Sequence, residues 1–142
     1  RKARMITATD LDDVRSAIQD GIDEGDGTEA IARRIRKASG LTAARAATVA
    51  RTETNAAATF GYMGAAREAE QELGVKLVKV WLATNDDRTR DDHRAMNDHP
   101  PIPLDEKFDV GGELMDRPGD PSASPEQTIN CRCALAVEEA TD

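Results

Sequence analysis

The stretch Leu73-Gly74-Val75-Lys76-Leu77-Val78-Lys79-Val80-Trp81-Leu82 is where this chain changes its period. Before it, apolar residues recur at helical spacing. From Val75 the set Val75, Leu77, Lys79, Trp81 alternates with Lys76, Val78, Val80, Leu82, and both sets carry apolar side chains. Alternation with apolar residues on both faces predicts a largely buried strand. Gly74 separates the two regimes. Helices come first and strands after, an order that predicts an α+β domain.

Upstream of this switch, Thr9 is placed to cap a helix from Asp10 to about Glu24, with Leu11, Val14, Ile18 and Ile22 as its apolar stripe. Gly25-Asp26-Gly27 ends it. Thr28 is placed to cap a second helix through Ser39, with Gly40 as its stop. Thr42 begins a long Ala-rich helix that runs to Leu73. Gly61 and Gly64 each cost about 1 kcal/mol against Ala in a helix interior, which predicts a kink or a tight crossing near Gly61. Downstream, Thr84 to Asp87 turn the chain, and Thr89 with Asp92 reads as a capping box for a short helix through Met96. Pro100, Pro101 and Pro103 predict irregular structure. Gly111-Gly112, between Lys107–Val110 and Glu113–Asp116, signals a hairpin. Residues 118–125 read as a loop and Asn130–Val137 as the closing strand. The expected architecture is N-terminal helices, then a small, mostly antiparallel sheet with a short helix and irregular loops.

Length and composition set limits on this plan. The chain has 142 residues and four aromatics, Phe60, Tyr62, Trp81 and Phe108. Much of its apolar content is Ala, so each helix face buries little area. A modest core centred on Trp81 and Phe108 is expected, with support from neighbouring subunits. Net charge is −8 and is unevenly placed: residues 1–74 hold 11 Lys/Arg and 12 Asp/Glu, and residues 75–142 hold 8 and 15. Arg33, Arg34, Arg36, Lys37, Arg45 and Arg51 fall between positions 31 and 51, where no acid occurs. Such a stripe suits DNA phosphates, an acidic protein partner or plain solvation. The sequence carries no apolar run of about 18 residues and no secretory pattern, so a membrane span or signal is not expected in these residues. It opens on Arg1, as a fragment of a longer protein would. Two cysteines one residue apart do not form a secreted disulfide framework. Reduced thiols in bacterial cytosol are expected.

The chemistry-bearing residues cluster in the second half. The run Asp86-Asp87-Arg88-Thr89-Arg90-Asp91-Asp92-His93 admits two readings. As an enzyme, Asp87 and His93 form an acid/base pair and Arg90 clamps a phosphate. As structure, Asp87 accepts backbone N–H bonds at a helix start, Arg88 and Arg90 pair with acids of neighbouring segments, and His93 bonds a loop carbonyl. The structural reading is preferred, because no separate nucleophile or phosphate-cradling loop accompanies the run. Ser122, Ser124 and Thr128 have no neighbouring base, so a serine triad finds no support. His93, Cys131 and Cys133, with His99 near them, have the ligand types for Zn2+. Their C-x-C spacing lacks the two intervening residues of a zinc knuckle. On a strand, however, both sulfurs face one side. The alternative is that the thiols fill core space. Pro118-Gly119-Asp120-Pro121 reads as a turn closed by Asp120, and Asn130 ties its loop to the last strand.

Taken together, Ala50-Arg51-Thr52-Glu53, Trp81 through Asp87-Arg88-Thr89-Arg90 to His93, the Phe108–Gly112 hairpin, Pro118–Pro121 and Asn130-Cys131-Arg132-Cys133 resemble the Mu-type F protein family. These are minor head or head-morphogenesis proteins of tailed bacteriophages. The resemblance covers residues 43–138. It implies a Mu F-like domain at 43–142 and a helical extension at 1–42. One departure is Asn97-Asp98-His99-Pro100, where members carry small residues ending in Gly. The resemblance implies a structural, non-enzymatic role in the virion, at the head interior or portal vertex, with the host cytoplasm as the place of assembly. It further implies contacts with portal or major capsid protein and with packaged DNA, and no resident cofactor. Arg33, Arg34, Arg36, Lys37 and Arg45 are then the DNA or partner contacts. Arg51, Glu53, Asp87, Arg88, Arg90, His93, Asp120 and Asn130 form the structural polar network. The alternative function is an enzyme acting on a phosphodiester or NAD-type substrate through Asp87, Arg90 and His93, since members of this family are sometimes fused to toxin domains.

Overall fold

The computed structural model describes the backbone of residues 8–141 and the side chains of residues 12–141. It is an α+β structure in two compact units, residues 1–54 and 55–142, and the division falls inside the longest helix. The family resemblance placed its boundary at 42/43, ahead of that helix.

The first unit contains α1 (Ala8–Asp23), α2 (Thr28–Ser39) and the beginning of α3 (Ala43–Leu73). Its core is made of Ala17, Ile31, Ala32, Ile35, Ala46 and Ala50, flanked by Val14, Ile18, Leu41, Ala47 and Val49. Helix α1 begins ahead of Thr9, so that residue lies inside the helix; its side chain and that of Leu11 fall outside the described residues. The buried stripe of α1 is centred on Ala17, and Ile22 is exposed. Gly21 explains the close packing of α1 on α2: a methyl group there would lie 2.5 Å from Ile31 Cγ1. Thr28 is the first residue of α2, whose cap is Gly27 with no side-chain bond. Gly40 ends α2 in the left-handed conformation (φ 72°), its N–H bonded to the Arg36 carbonyl. Thr42 Oγ1 accepts the Arg45 N–H at 3.3 Å, which starts α3 as expected.

The second unit takes the rest of α3 and all the strands. Helix α3 runs unbroken through Gly61 and Gly64, and a methyl group at either would meet nothing within 4 Å. The tight crossing expected there is absent. The close approach occurs one turn earlier, where Gly119 (φ 77°) would bring a methyl group within 3.1 Å of Ala56 Cα. Thr59 Oγ1 donates to the Pro118 carbonyl at 2.6 Å and fastens the same turn to the helix.

Strand β1 (Leu77–Leu82) is central, between the short β2 (Ile102–Pro103) and β5 (Ala134–Glu139), and all pairings are antiparallel. It is buried on one face, through Lys79 and Trp81, while Val78 and Val80 are half-buried and Leu82 is exposed. The two-faced burial expected of it is therefore corrected. Ile102–Pro103 was expected to be irregular. As an edge strand it tolerates proline, because an edge leaves N–H positions unused. Strands β3 (Phe108–Val110) and β4 (Glu113–Met115) form the hairpin over Gly111-Gly112, both at positive φ. The core collects Met63, Ala66, Trp81, Met96, Ile102, Leu104, Phe108, Val110, Met115, Cys131, Cys133 and Leu135. Trp81 meets Phe108 edge-on at 5.3 Å between ring centres, so the expected centre of the core is found.

Candidate metal centre

Two segments build the site: α4 (Asp91–Ala95), which carries His93, and the chain entering β5, which carries Cys131 and Cys133. The cysteines precede the strand, which begins at Ala134 and not at Asn130 as expected. Asn130 stands at φ 56°, the left-handed region that asparagine tolerates better than most residues. This turns the chain inward at Cys131. Arg132 points the other way and is held from two sides. Its guanidinium makes a two-pronged pair with Asp86 at 2.6 and 2.8 Å, and its carbonyl accepts Thr84 Oγ1 at 2.9 Å. With Arg132 pinned outward, both flanking sulfurs are directed inward.

The acid that organises this loop is thus Asp86, and not the neighbouring Asp87 that the sequence suggested. Asp86 also accepts the Arg88 N–H at 2.9 Å and a bond from Thr89 Oγ1. The Arg132 guanidinium, with help from the Arg88 N–H, holds its carboxyl well below the usual carboxylate range against a smaller opposing effect of burial. Asp87 and Arg88 are exposed. Arg90 donates to the Ile129 carbonyl, where an acid was expected. Thr89 forms no capping box: Arg90 is the cap residue of α4, and the Thr89 hydroxyl bonds Thr84 and Asp86. Arg94 straps the loop to α4 through the carbonyls of Asp86 (3.1 Å) and Thr89 (3.0 Å).

His93 lies within this frame, 1% exposed, with Cys131 and Cys133 each 2% exposed. Its Nδ1 is 3.4 Å from Cys133 Sγ and 3.7 Å from Cys131 Sγ, and the three ligand-type atoms all lie within 4.8 Å of one another. Its Nε2 meets Gln127 Oε1 at 2.8 Å, where a loop carbonyl was expected. Gln127 sits on the four-residue helix α5 (Pro125–Thr128), between the 118–125 loop and the closing strand, where the sequence assigned no element. The Ser124-Pro125 pair, a cap-type residue followed by proline at the first helical position, was the available signal. The Cys131 thiol is drawn down because the Cys133 thiol donates to it; burial opposes this. The same bond, together with burial, drives Cys133 up. His99 stands apart from the cluster, with Nδ1 at 2.8 Å from the Pro100 oxygen and its ring against Phe108.

The remaining polar positions hold other parts of the unit together. Asp120 accepts the Asp116 N–H and the Ser122 N–H and hydroxyl, at 2.8 to 2.9 Å, closing the 118–121 turn. Lys79 is fully buried; its Nζ bonds the Asp116 carbonyl at 2.7 Å and carboxylate at 3.1 Å, and lies over the Phe108 ring. Neither Lys79 nor Gln127 was singled out in the sequence. In the first unit, Arg33, Arg36 and Arg51 line one groove with Thr28 and Ala47. Arg34 departs from the stripe and pairs with Asp26 at 2.6 Å. Lys37 and Arg45 are exposed, and Glu53 is exposed on α3.

Chemically, the second unit offers a buried cluster of two sulfurs and an imidazole, with no hydrogen bond joining Asp87, Arg90 and His93 among the described residues. Fold and site define a class: a small α+β domain, helices ahead of an antiparallel sheet, closed around a Cys-x-Cys and a histidine. The chain belongs to the family described as Phage Mu protein F like protein, which it matches over residues 12–136. It is 34% identical over 126 residues to Minor head protein GP7 of Bacillus phage SPP1, covering 88% of this chain and 40% of that protein. It is also 32% identical over 120 residues to NAD(+)--arginine ADP-ribosyltransferase EFV of Enterococcus faecalis, covering 84% of this chain and 24% of that protein. The chain thus spans less than half the length of either relative. No solved structure matches it significantly. Among the described residues, no helix is long and apolar enough to cross a membrane.

Proposed function

We propose that this chain is a structural, morphogenetic part of a phage head, acting by contact with portal or capsid protein and not by turnover. The observation that carries this reading is the family match over residues 12–136, joined to the likeness to a minor head protein. The closed site supports it, since a reacting group must be within reach of its substrate and His93 is sealed in the core. The helical segments supply the partner surface, with Phe60 58% exposed on α3. Exposed Arg33, Arg36, Lys37 and Arg45 face DNA or an acidic wall of the assembly.

The test is complementation of a phage lacking the corresponding gene. The wild-type gene restores infectious particles, and a variant with Arg33, Arg36, Lys37 and Arg45 changed to Glu gives defective particles despite normal folding. Normal particle yield without the gene would overturn the proposal. The likeness to an ADP-ribosyltransferase motivates an enzymatic alternative through Asp87, Arg90 and His93. The purified chain is expected to consume no NAD+ and cleave no DNA; activity abolished by His93→Ala would establish that alternative.

A further inference from the structure

An apolar core gains nothing by setting two thiols and an imidazole face to face, since alanine and valine would fill the space without polar atoms to satisfy. The arrangement around them is also specific. The Gln127 amide nitrogen points to two acceptors, Asp92 Oδ2 at 3.4 Å and the Val110 carbonyl at 3.5 Å. Its amide oxygen is therefore the end presented to His93. An oxygen only accepts, so Nε2 of His93 carries the proton and Nδ1 turns its lone pair toward the sulfurs. A ligating histidine has this tautomer and this kind of partner on its far nitrogen. The Trp81 ring stands edge-on to His93 at 5.5 Å between centres, and its indole N–H is buried without a hydrogen-bond partner.

The distances agree with a metal geometry. Zn–S of about 2.3 Å and Zn–N of about 2.0 to 2.1 Å at tetrahedral angles put nitrogen and sulfur about 3.6 Å apart. The two observed separations are 3.4 and 3.7 Å. We propose that His93 Nδ1, Cys131 Sγ and Cys133 Sγ bind a zinc ion, with Gln127 as the positioning residue for the imidazole. The ion displaces whatever protons the two sulfurs carry, these pass to solvent, and no electron moves. Its structural effect is a cross-link between α4 and the segment entering β5. The C-x-C spacing serves because Arg132, clamped outward by Asp86, leaves its two neighbours pointing the same way.

The experiment uses the whole chain, purified without a polyhistidine tag and under reducing conditions. Elemental analysis is expected to find about one zinc per chain, because structural zinc is retained through purification. Cys131→Ser and Cys133→Ser should each bring this below about 0.2. Gln127→Leu should weaken zinc binding about 10- to 100-fold, read by competition with a chromophoric chelator. A serine in the core can unfold the domain, so the wild type supplies an independent reading. Stripped of metal and titrated with Co2+, it should show a thiolate-to-cobalt charge-transfer band and the visible bands of tetrahedral cobalt. A reduced, folded wild type that takes up neither Zn2+ nor Co2+, and whose melting is unchanged by chelator, would overturn the proposal in favour of thiols hydrogen-bonded to an imidazole. Full zinc content in a Cys131→Ser/Cys133→Ser double variant would overturn it equally.

Discussion

In the first unit the described buried side chains are isoleucine and alanine, with Ser39 as the polar exception; in the second, a lysine, a histidine, a glutamine, an aspartate and two thiols are buried among Trp81, Phe108 and three methionines. The two cores lose stability in different ways. Removing atoms from the first costs their burial and a cavity, in proportion to size. Removing one member of a polar pair in the second strands its partner in a low-dielectric interior, where the cost exceeds what the pair itself contributes. The helical unit is therefore graded in its response, and the sheet unit is specific.

The two units should differ most at Lys79. Asp116→Ala should destabilise the second unit by about 3–5 kcal/mol, because a buried ammonium loses its carboxylate. Lys79→Met should be near neutral, since the hydrophobic replacement removes the need for a partner. Chemical denaturation of both variants checks this, and equal losses would remove the distinction. In the first unit, Ile35→Ala should cost about 2–5 kcal/mol through cavity formation, with Ile35→Val costing about 0.5–1.5 kcal/mol. A steep loss from the smaller change would show that this unit is not graded.

Acid should separate the regions more gently. Arg132 holds the Asp86 carboxyl below its ordinary range. Asp120 is lowered too: burial pushes it upward, but the N–H groups of Asp116 and Ser122 outweigh that effect. Carboxylates depressed in the folded state stabilise it above the ordinary carboxylate pKa of about 4, and that stability is lost as pH falls through the folded values. Melting followed by Trp81 fluorescence should hold from pH 7 to about 5 and decline below about 4. An Asp86→Asn variant should show a shallower decline. The smallest expected effect is a gain: Gly61→Ala should stabilise α3 by about 0.5–1 kcal/mol, because a methyl group there meets open space.

Much of the fold was legible because periodicity and glycine punctuation report local structure. The stops at Gly40 and Gly74 and the Gly111-Gly112 hairpin stand where the residues indicated, and the strand read from Val75 begins two residues later, at Leu77. Caps were less legible: Thr28 sits inside its helix and Thr89 bonds the preceding loop, because serine and threonine hydroxyls serve turns as readily as helix starts. The site was half legible. His93, Cys131 and Cys133 could be picked out by ligand type. Their geometry depends on Gln127 and on Asp86 clamping Arg132, contacts made across 34 and 46 residues that no local pattern encodes. Choosing between adjacent Asp86 and Asp87 requires knowing which way the loop turns, and the alternating charges do not say.

The second unit has a closed interior: the groups that link the Trp81–His93 segment to Cys131 and Cys133 hold a core together and are out of reach of any substrate. Thiol labelling of the native chain with a charged aromatic disulfide, in reducing-agent-free buffer containing chelator, tests this directly. Both cysteines should remain unlabelled in the folded state and react together as the second unit unfolds in denaturant. Rapid labelling of either thiol in native buffer, with the Trp81 fluorescence of the folded chain unchanged, would contradict it.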